Sequence, residues 1–276
     1  MKIGIKTNLN RDINANATKL FCSKLKDCGL EYKVCDNARD YFQAIETAPT
    51  NHVFEWCDIV VSFGGDGTML DTVRNLTEER PILGINMGKI GFLTEVDENG
   101  IDFAVKCLKE NNFNIETRTL LKTNIDGKEY FALNEIIVNN QDTCHISSFN
   151  IDLDEVRADT VRSDGILVST PTGSTAYSLS CNGPVLSPSV KALIVNAICP
   201  HSLHSCPMVI DDNMKIDIST DSANMRVIVD GTIIYKSETC GLNIKIEKAE
   251  KCASFIRFKN ENFYNKLRKK LNYWGE

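Results

Sequence analysis

A short apolar run that stops in glycine and restarts as a helix constrains this chain more than any other feature. Ile59, Val60, Val61, Ser62 and Phe63 form a β-branched segment of the kind buried in a parallel sheet, whereas Met69, Leu70, Val73 and Leu76 recur at helical spacing. Between them lie Gly64, Gly65, Asp66, Gly67 and Thr68. The three glycines can adopt positive φ and admit a ligand to the backbone, Thr68 can cap the helix, and N–H groups at a helix start attract an anion. Phosphate is the expected ligand. A carboxylate in such a loop repels phosphate, which makes sense if Asp66 handles a proton or a metal. A tight turn with Asp66 as N-cap accounts for the same residues.

Two better-known phosphate motifs are absent. A dinucleotide fingerprint beginning at Gly65 and Gly67 needs glycine at position 70, where Leu70 stands, and residues 84–90 resemble a Walker A loop that is one residue short and lacks the Ser or Thr. The ligand class is narrowed by charge. With a net charge of −6 over 276 residues the chain has no global basic field for nucleic acid or acidic membranes, so a small substrate is expected. The start of the chain, residues 1–8, alternates like a strand and soon turns polar, and no apolar run approaches about 18 residues, which predicts a cytoplasmic protein with no membrane partner. The eleven cysteines are scattered without a C-x-x-C and are read mostly as reduced core residues.

Strands predicted over 2–7, 31–35, 59–63 and 81–86 alternate with helices over 15–28, 41–47, 69–76 and 101–109, a βαβ pattern that implies a doubly wound parallel sheet with its ligand beyond the carboxyl ends of the strands. From residue 114 the pattern turns to β. A hairpin over 114–125 and 128–138 precedes strand-like runs at 149–153, 166–169, 192–198, 214–218, 226–229, 242–246 and 254–258. The expected organisation is α/β plus β: a Rossmann-like first domain over 1–113, an all-β, sandwich-like second domain over 114–258, and a C-terminal helix over 259–276 returning to the first domain, with a cleft between the domains. Phe263, Leu267 and Leu271 form the apolar side of that helix.

In the second half, Asn134 and Glu135 stand side by side at the start of an apolar strand, where a ribose diol or purine edge could satisfy them and where a plain strand edge is the competing reading. Residues 162–180 carry a strand into a hydroxyl-rich, glycine-hinged turn and a short helix, with Tyr177 and Ser180 on one face. The hydroxyls suit an anionic or sugar-like ligand and Tyr177 offers a stacking face; a Ser/Thr-capped helix would explain one hydroxyl.

The order and spacing of 64–68, Asn134-Glu135, Asp164-Gly165 and 169–180 resemble the NAD kinase family over nearly the whole chain, whereas lipid kinases of the diacylglycerol and sphingosine type share the first motif only. The resemblance implies transfer of the ATP γ-phosphoryl to the 2′-hydroxyl of the adenosine ribose of NAD, a divalent cation such as Mg²⁺, an NAD site between the two domains, and a homo-oligomer, a dimer or tetramer. It makes Asp66 the proton acceptor, with Gly64, Gly65, Gly67 and Thr68 around it. It assigns Asn134 and Glu135 to the adenosine portion and Asp164 with Ala176 to the nicotinamide end. Thr175, Tyr177, Ser178, Leu179 and Ser180 would line the dinucleotide, and His145 and Arg162 would supply basic contacts. Independently of the resemblance, Phe92 beside the glycines at 88 and 91 reads either as an aromatic wall of the pocket or as simple core. No residue is assigned to the metal. Two Cys and two His within 199–206 do not have zinc-site spacing, and the family carries a similar stretch without metal. A lipid kinase is disfavoured by the lack of a basic or amphipathic membrane face, and a non-catalytic dinucleotide-binding regulator by the intact Asp66 and Asn134-Glu135.

Overall fold

The computed structural model describes residues 1–42, 47–88, 91–142, 145–202, 205–258 and 263–274, the side chains of 271–274 excepted. Two units are present, one made of Met1–Thr117 with Ala253–Glu276 and the other of Arg118–Cys252. The unit boundaries therefore fall inside the strands Asn114–Ile125 and Leu242–Arg257 rather than at residues 113 and 258.

In the first unit the apolar run before the glycines is the strand Ile59–Gly64, buried along its whole length. It pairs in parallel with Lys2–Thr7 on one side and Ile82–Asn86 on the other, and Glu31–Cys35 and Thr47–Ala48 extend the sheet in parallel beyond Lys2–Thr7. A strand covered on both faces has no solvent side, which is why its sequence is continuously apolar. The helix Asn16–Asp27 buries Phe21, whose ring meets Phe63 edge to face at 5.4 Å, and Ile101–Lys109 adds Ala104, Val105 and Leu108 to the same core. Each of the larger buried side chains here, Phe, Val or Leu, contributes about 1.5–3 kcal/mol. The expected helix over 41–47 is absent where described: Asp36–Tyr41 is a 3₁₀ turn, residues 43–46 lie outside the described residues, and the helix is Thr50–Trp56.

The C-terminal helix Phe263–Trp274 packs in this unit. Lys266 is buried and donates to Thr94 O at 2.7 Å and to Glu95 Oε2 at 3.2 Å; Arg257 Nη1 reaches the same oxygen at 3.1 Å, and Phe258 N donates to Glu95 Oε1 at 2.7 Å. A buried carboxylate with two cations and an N–H is a satisfied network, and loss of one member would leave an uncompensated charge.

The second unit is an antiparallel β-sandwich. One sheet contains Val156–Ser163, Ser147–Leu153, Ile216–Thr220 and Leu242–Arg257, with Asn114–Ile125 and Lys128–Ala132 beyond; the other runs Met208–Asp211, Ala192–Ile198, Gly165–Ser169, Glu135–Asn140, Met225–Val229 and Thr232–Ser237. Phe149, Ile218 and Ile246 of the first sheet share a core with Val138, Val168, Val195 and Val227 of the second. The hairpin expected through residue 138 is corrected: its second strand ends at Ala132, and Glu135–Asn140 belongs to the other sheet. The break is held by Asp230, whose carboxylate accepts the N–H groups of Leu133, Asn134 and Glu135 at 2.7, 2.8 and 3.1 Å. The reading of the cysteines as mostly core is also corrected. Cys22, Cys35, Cys57 and Cys107 are buried, but Cys199, Cys206 and Cys240 are exposed and the other three described are half-buried.

Candidate active site

Asp66 is the first residue of the helix Asp66–Asn75, after an N-cap at Gly65 that has no side-chain cap. The carboxylate turns away from its own helix. Oδ2 accepts Phe92 N at 2.9 Å and Oδ1 accepts Leu93 N at 3.0 Å, while Lys270 Nζ lies 3.3 Å from Oδ2 and 4.1 Å from the centre of the Phe92 ring. Phe92, half-buried, also packs on Phe263 at 6.1 Å between centroids. Two expectations for the loop change here. Neither Asp66 nor Thr68 caps the helix; Thr68 is buried and accepts Asn8 Nδ2 at 2.9 Å. Gly64, Gly65 and Gly67 are not among the positive-φ glycines. A Cβ on Gly64 would come within 2.2 Å of Thr68 Oγ1, and one on Gly91 within 2.2 Å of Asp66 Oδ1, so those two positions must be glycine for packing. Gly65 and Gly67 face open space instead. That space is a cavity of about 370 Å³ bordered by Asp66, Arg11, Asn86, Gly88 and Lys270. Asn86 is 93% buried (relative exposure 7%); its Nδ2 donates to Gly88 O at 2.9 Å, and its Oδ1 has no hydrogen-bond partner among the described residues. A buried acceptor left open at a cavity wall calls for a donor from outside the fold, a hydroxyl or a water.

The second cluster lies in the second unit. Glu135 opens its strand, 7% exposed, with Oε2 lacking a hydrogen-bond partner among the described residues. Burial, then the Asp230 carboxylate, push its carboxyl up to about 8, against the lowering effect of the Tyr177 backbone N–H. Tyr177 is exposed at the start of the helix Tyr177–Ser180, and its phenol is raised above its ordinary value by burial, then by Cys181, Cys199, Asp164 and Glu135. The neighbouring hydroxyls are not offered to a ligand. Thr170 Oγ1 donates to Leu133 O at 2.6 Å, Ser169 Oγ to Asn134 O at 3.2 Å, Ser174 Oγ to Pro171 O at 2.7 Å and Thr175 Oγ1 to Thr172 O at 3.3 Å. A Cβ on Gly173 would strike Asn134 O at 2.2 Å, so this turn lies against the Asn134-Glu135 backbone and fixes it.

Family models for both halves match: the ATP-NAD kinase N-terminal domain over residues 8–113 and the ATP-NAD kinase C-terminal domain over 133–258. The chain belongs to the NAD kinase family. An NAD kinase of Chloroherpeton thalassium is 32% identical over 282 residues, covering 100% of this chain and 99% of its own. The crystal structure of an NAD kinase from Archaeoglobus fulgidus in complex with ATP is similar with a TM-score of 0.81 at 27% identity, over 99% of both chains. Yeast NADH kinase complexed with NADH shares the fold, with a TM-score of 0.91 at 22% identity over 99% of this chain and 87% of its own.

Among the positions the resemblance to NAD kinases assigns, Asn134 and Glu135 meet the Asp230 carboxylate, the Tyr177 N–H serves Glu135, Ala176 N bonds Gly173 O within the 169–177 turn, and Asp164 is close enough to bear on the Tyr177 phenol. Ser178 is fully buried, bonded to Asn196 Nδ2 at 3.2 Å, and Thr175 is also buried, whereas Leu179 is half-buried and Ser180 exposed. Arg162 is exposed on its strand, and exposed His145 has Asp142 Oδ2 at 3.9 Å from Nδ1. Of the 199–206 stretch, His204 lies outside the described residues, as do Lys89 and Ile90 of the Walker-like segment. Among the described residues no group of three or more His, Cys, Asp or Glu is placed to hold a metal. Sequence reasoning missed Asn86, Lys270 and the Glu95 network; two lysines four residues apart, Lys266 and Lys270, on one amphipathic helix were the available signal.

Proposed function

We propose that the chain is an NAD kinase that transfers the γ-phosphoryl group of ATP to the 2′-hydroxyl of the adenosine ribose of NAD, giving NADP and ADP. The observation that carries the reading is Asp66, a carboxylate oriented by two backbone N–H groups at the wall of a glycine-bordered cavity in a member of this family. In the reaction Asp66 accepts the 2′-hydroxyl proton, the ribose oxygen bonds to the γ-phosphorus, and the bond from that phosphorus to the β–γ bridging oxygen breaks to release ADP. Asn134 and Glu135 hold the adenosine portion, Tyr177 stacks on the dinucleotide, and Asp164 with Ala176 meets the nicotinamide end. Ser180 and Leu179 line it further, Ser178 and Thr175 shape the helix from beneath, and His145 and Arg162 supply basic contacts.

ATP is taken as its complex with Mg²⁺ or another divalent cation. Such ions keep several waters and would lower the charge of the phosphates. We further assign the enzyme to the cytoplasm and to a homo-oligomer formed through the β-sandwich, whose exposed edge strand Val156–Ser163 carries only two buried residues. Light scattering tests the assembly, which a fully active monomer would refute. Incubating the folded protein with NAD, ATP and Mg²⁺ is expected to yield NADP. No NADP across a range of metals and donors would refute the reading.

A further inference from the structure

We infer that Lys270, on the C-terminal helix, is a binding residue for the ATP phosphates that rests on Asp66 when no nucleotide is present and moves to the phosphates when ATP enters. The inference depends on the kinase reading above.

A tetra-anionic donor needs positive charge, and the loop at 64–68 has no basic residue while carrying one carboxylate. The phosphate lysine of a Walker A loop has no counterpart in that loop, so any side-chain cation that joins the Mg²⁺ of the nucleotide complex comes from elsewhere in the fold, and Arg11 and Lys270 are the two basic residues bordering the cavity. Lys270 is on the wall of the same cavity, 21% exposed at the side chain, with Nζ shared between Asp66 Oδ2 at 3.3 Å and the face of Phe92 at 4.1 Å. Neither contact saturates an ammonium with three donors. The partly open Lys270–Asp66 pair is weak by the usual standard of exposed ion pairs, so exchange for a multiply charged phosphate is favourable. Asn86, whose buried Oδ1 has no hydrogen-bond partner among the described residues, also borders that cavity.

Docking of the helix does not need Lys270. Lys266, one turn earlier on the same face, is buried and makes the anchoring contacts to Thr94 O and Glu95. Lys270 extends from that anchored turn toward the carboxylate. Its departure to phosphate leaves Asp66 still held by Phe92 N and Leu93 N, with Oδ2 open to the substrate hydroxyl.

Calorimetric titration of ATP and of AMP, without NAD, into wild type, Lys270→Met and Lys270→Arg separates this role from a structural one. Lys270→Met is expected to weaken ATP about 10- to 100-fold, the size of one charged hydrogen bond, with AMP changed less than about 2-fold and the thermal midpoint little moved. Lys270→Arg is expected to restore most of the ATP affinity. In turnover, KM for ATP should rise in Lys270→Met while KM for NAD stays. Unchanged ATP affinity, or equal weakening of ATP and AMP, would overturn the inference while leaving the kinase reading intact. A wild-type protein that binds no ATP and makes no NADP would overturn both.

Discussion

Asp66 and Glu135 are both carboxylates beside a backbone turn, yet the fold treats them in opposite ways. Asp66 accepts two N–H groups from residues 92 and 93 and has an ammonium beside it, and its loop is packed so closely that Gly91 cannot carry a Cβ. Glu135 is more deeply buried, with one oxygen unpartnered and a second carboxylate, Asp230, beside it. The fold supplies the partners of the first and withholds those of the second. A group that must act in the transition state gains from being oriented beforehand, whereas a group that recognises a sugar hydroxyl needs an unpaired oxygen, as donor or acceptor, until the hydroxyl arrives.

Asp66→Asn breaks the first half of this contrast and carries the largest expected effect. Turnover should fall by about 10² to 10⁴, the usual contribution of a general base. Because both carboxylate oxygens accept backbone N–H groups, the new amide nitrogen must oppose one of them, so a loss of loop stability is expected as well. NAD affinity should remain within a few-fold. Retention of more than half the turnover would remove Asp66 from the role of base.

Glu135→Gln tests the second half. A carboxyl raised from 4.5 to about 8 by folding holds its proton more tightly in the folded chain, so wild-type stability declines as pH rises between those values and the whole penalty is present above them. Glutamine does not titrate and still offers an oxygen to the Tyr177 N–H. The ligand-free variant should therefore melt above wild type at pH 8 by the equivalent of a few kcal/mol at most, and the gap should close toward pH 5. NAD affinity should drop in the same variant. A pH-independent gap would mean that Glu135 has a partner in solution.

Much of this contrast was legible along the chain and part of it was not. The strand, the glycines and Asp66 are contiguous, so local pattern revealed them. The groups that hold Asp66 come from 26 and 27 residues away and, for Lys270, 204, distances over which periodicity says nothing. The hairpin was read too far because Phe131, Ala132, Leu133 and Ile136 continue one apolar texture across Asn134; the break comes from Asp230, 95 to 97 residues later. Strand Val156–Ser163 escaped notice since five of its first residues are exposed and leave no alternation. Likewise the hydroxyls of 169–175 could be counted from sequence, but not their carbonyl partners.

Tyr177 gives the smallest effect and separates ring from hydroxyl within the Glu135 cluster. Its backbone N–H, which survives any substitution except proline, serves Glu135, so side-chain variants leave that contact in place. The phenol is shifted upward, first by burial, while the exposed ring is free to stack on a base. Tyr177→Ala should weaken NAD binding by about 1 to 3 kcal/mol, a stacking-sized loss, and Tyr177→Phe should be much milder. Equal damage from both would move the contribution from the ring to the hydroxyl. Loss of the Glu135 pH signature in Tyr177→Ala would instead show that the ring shields the buried carboxyl, joining two roles here assigned to separate groups.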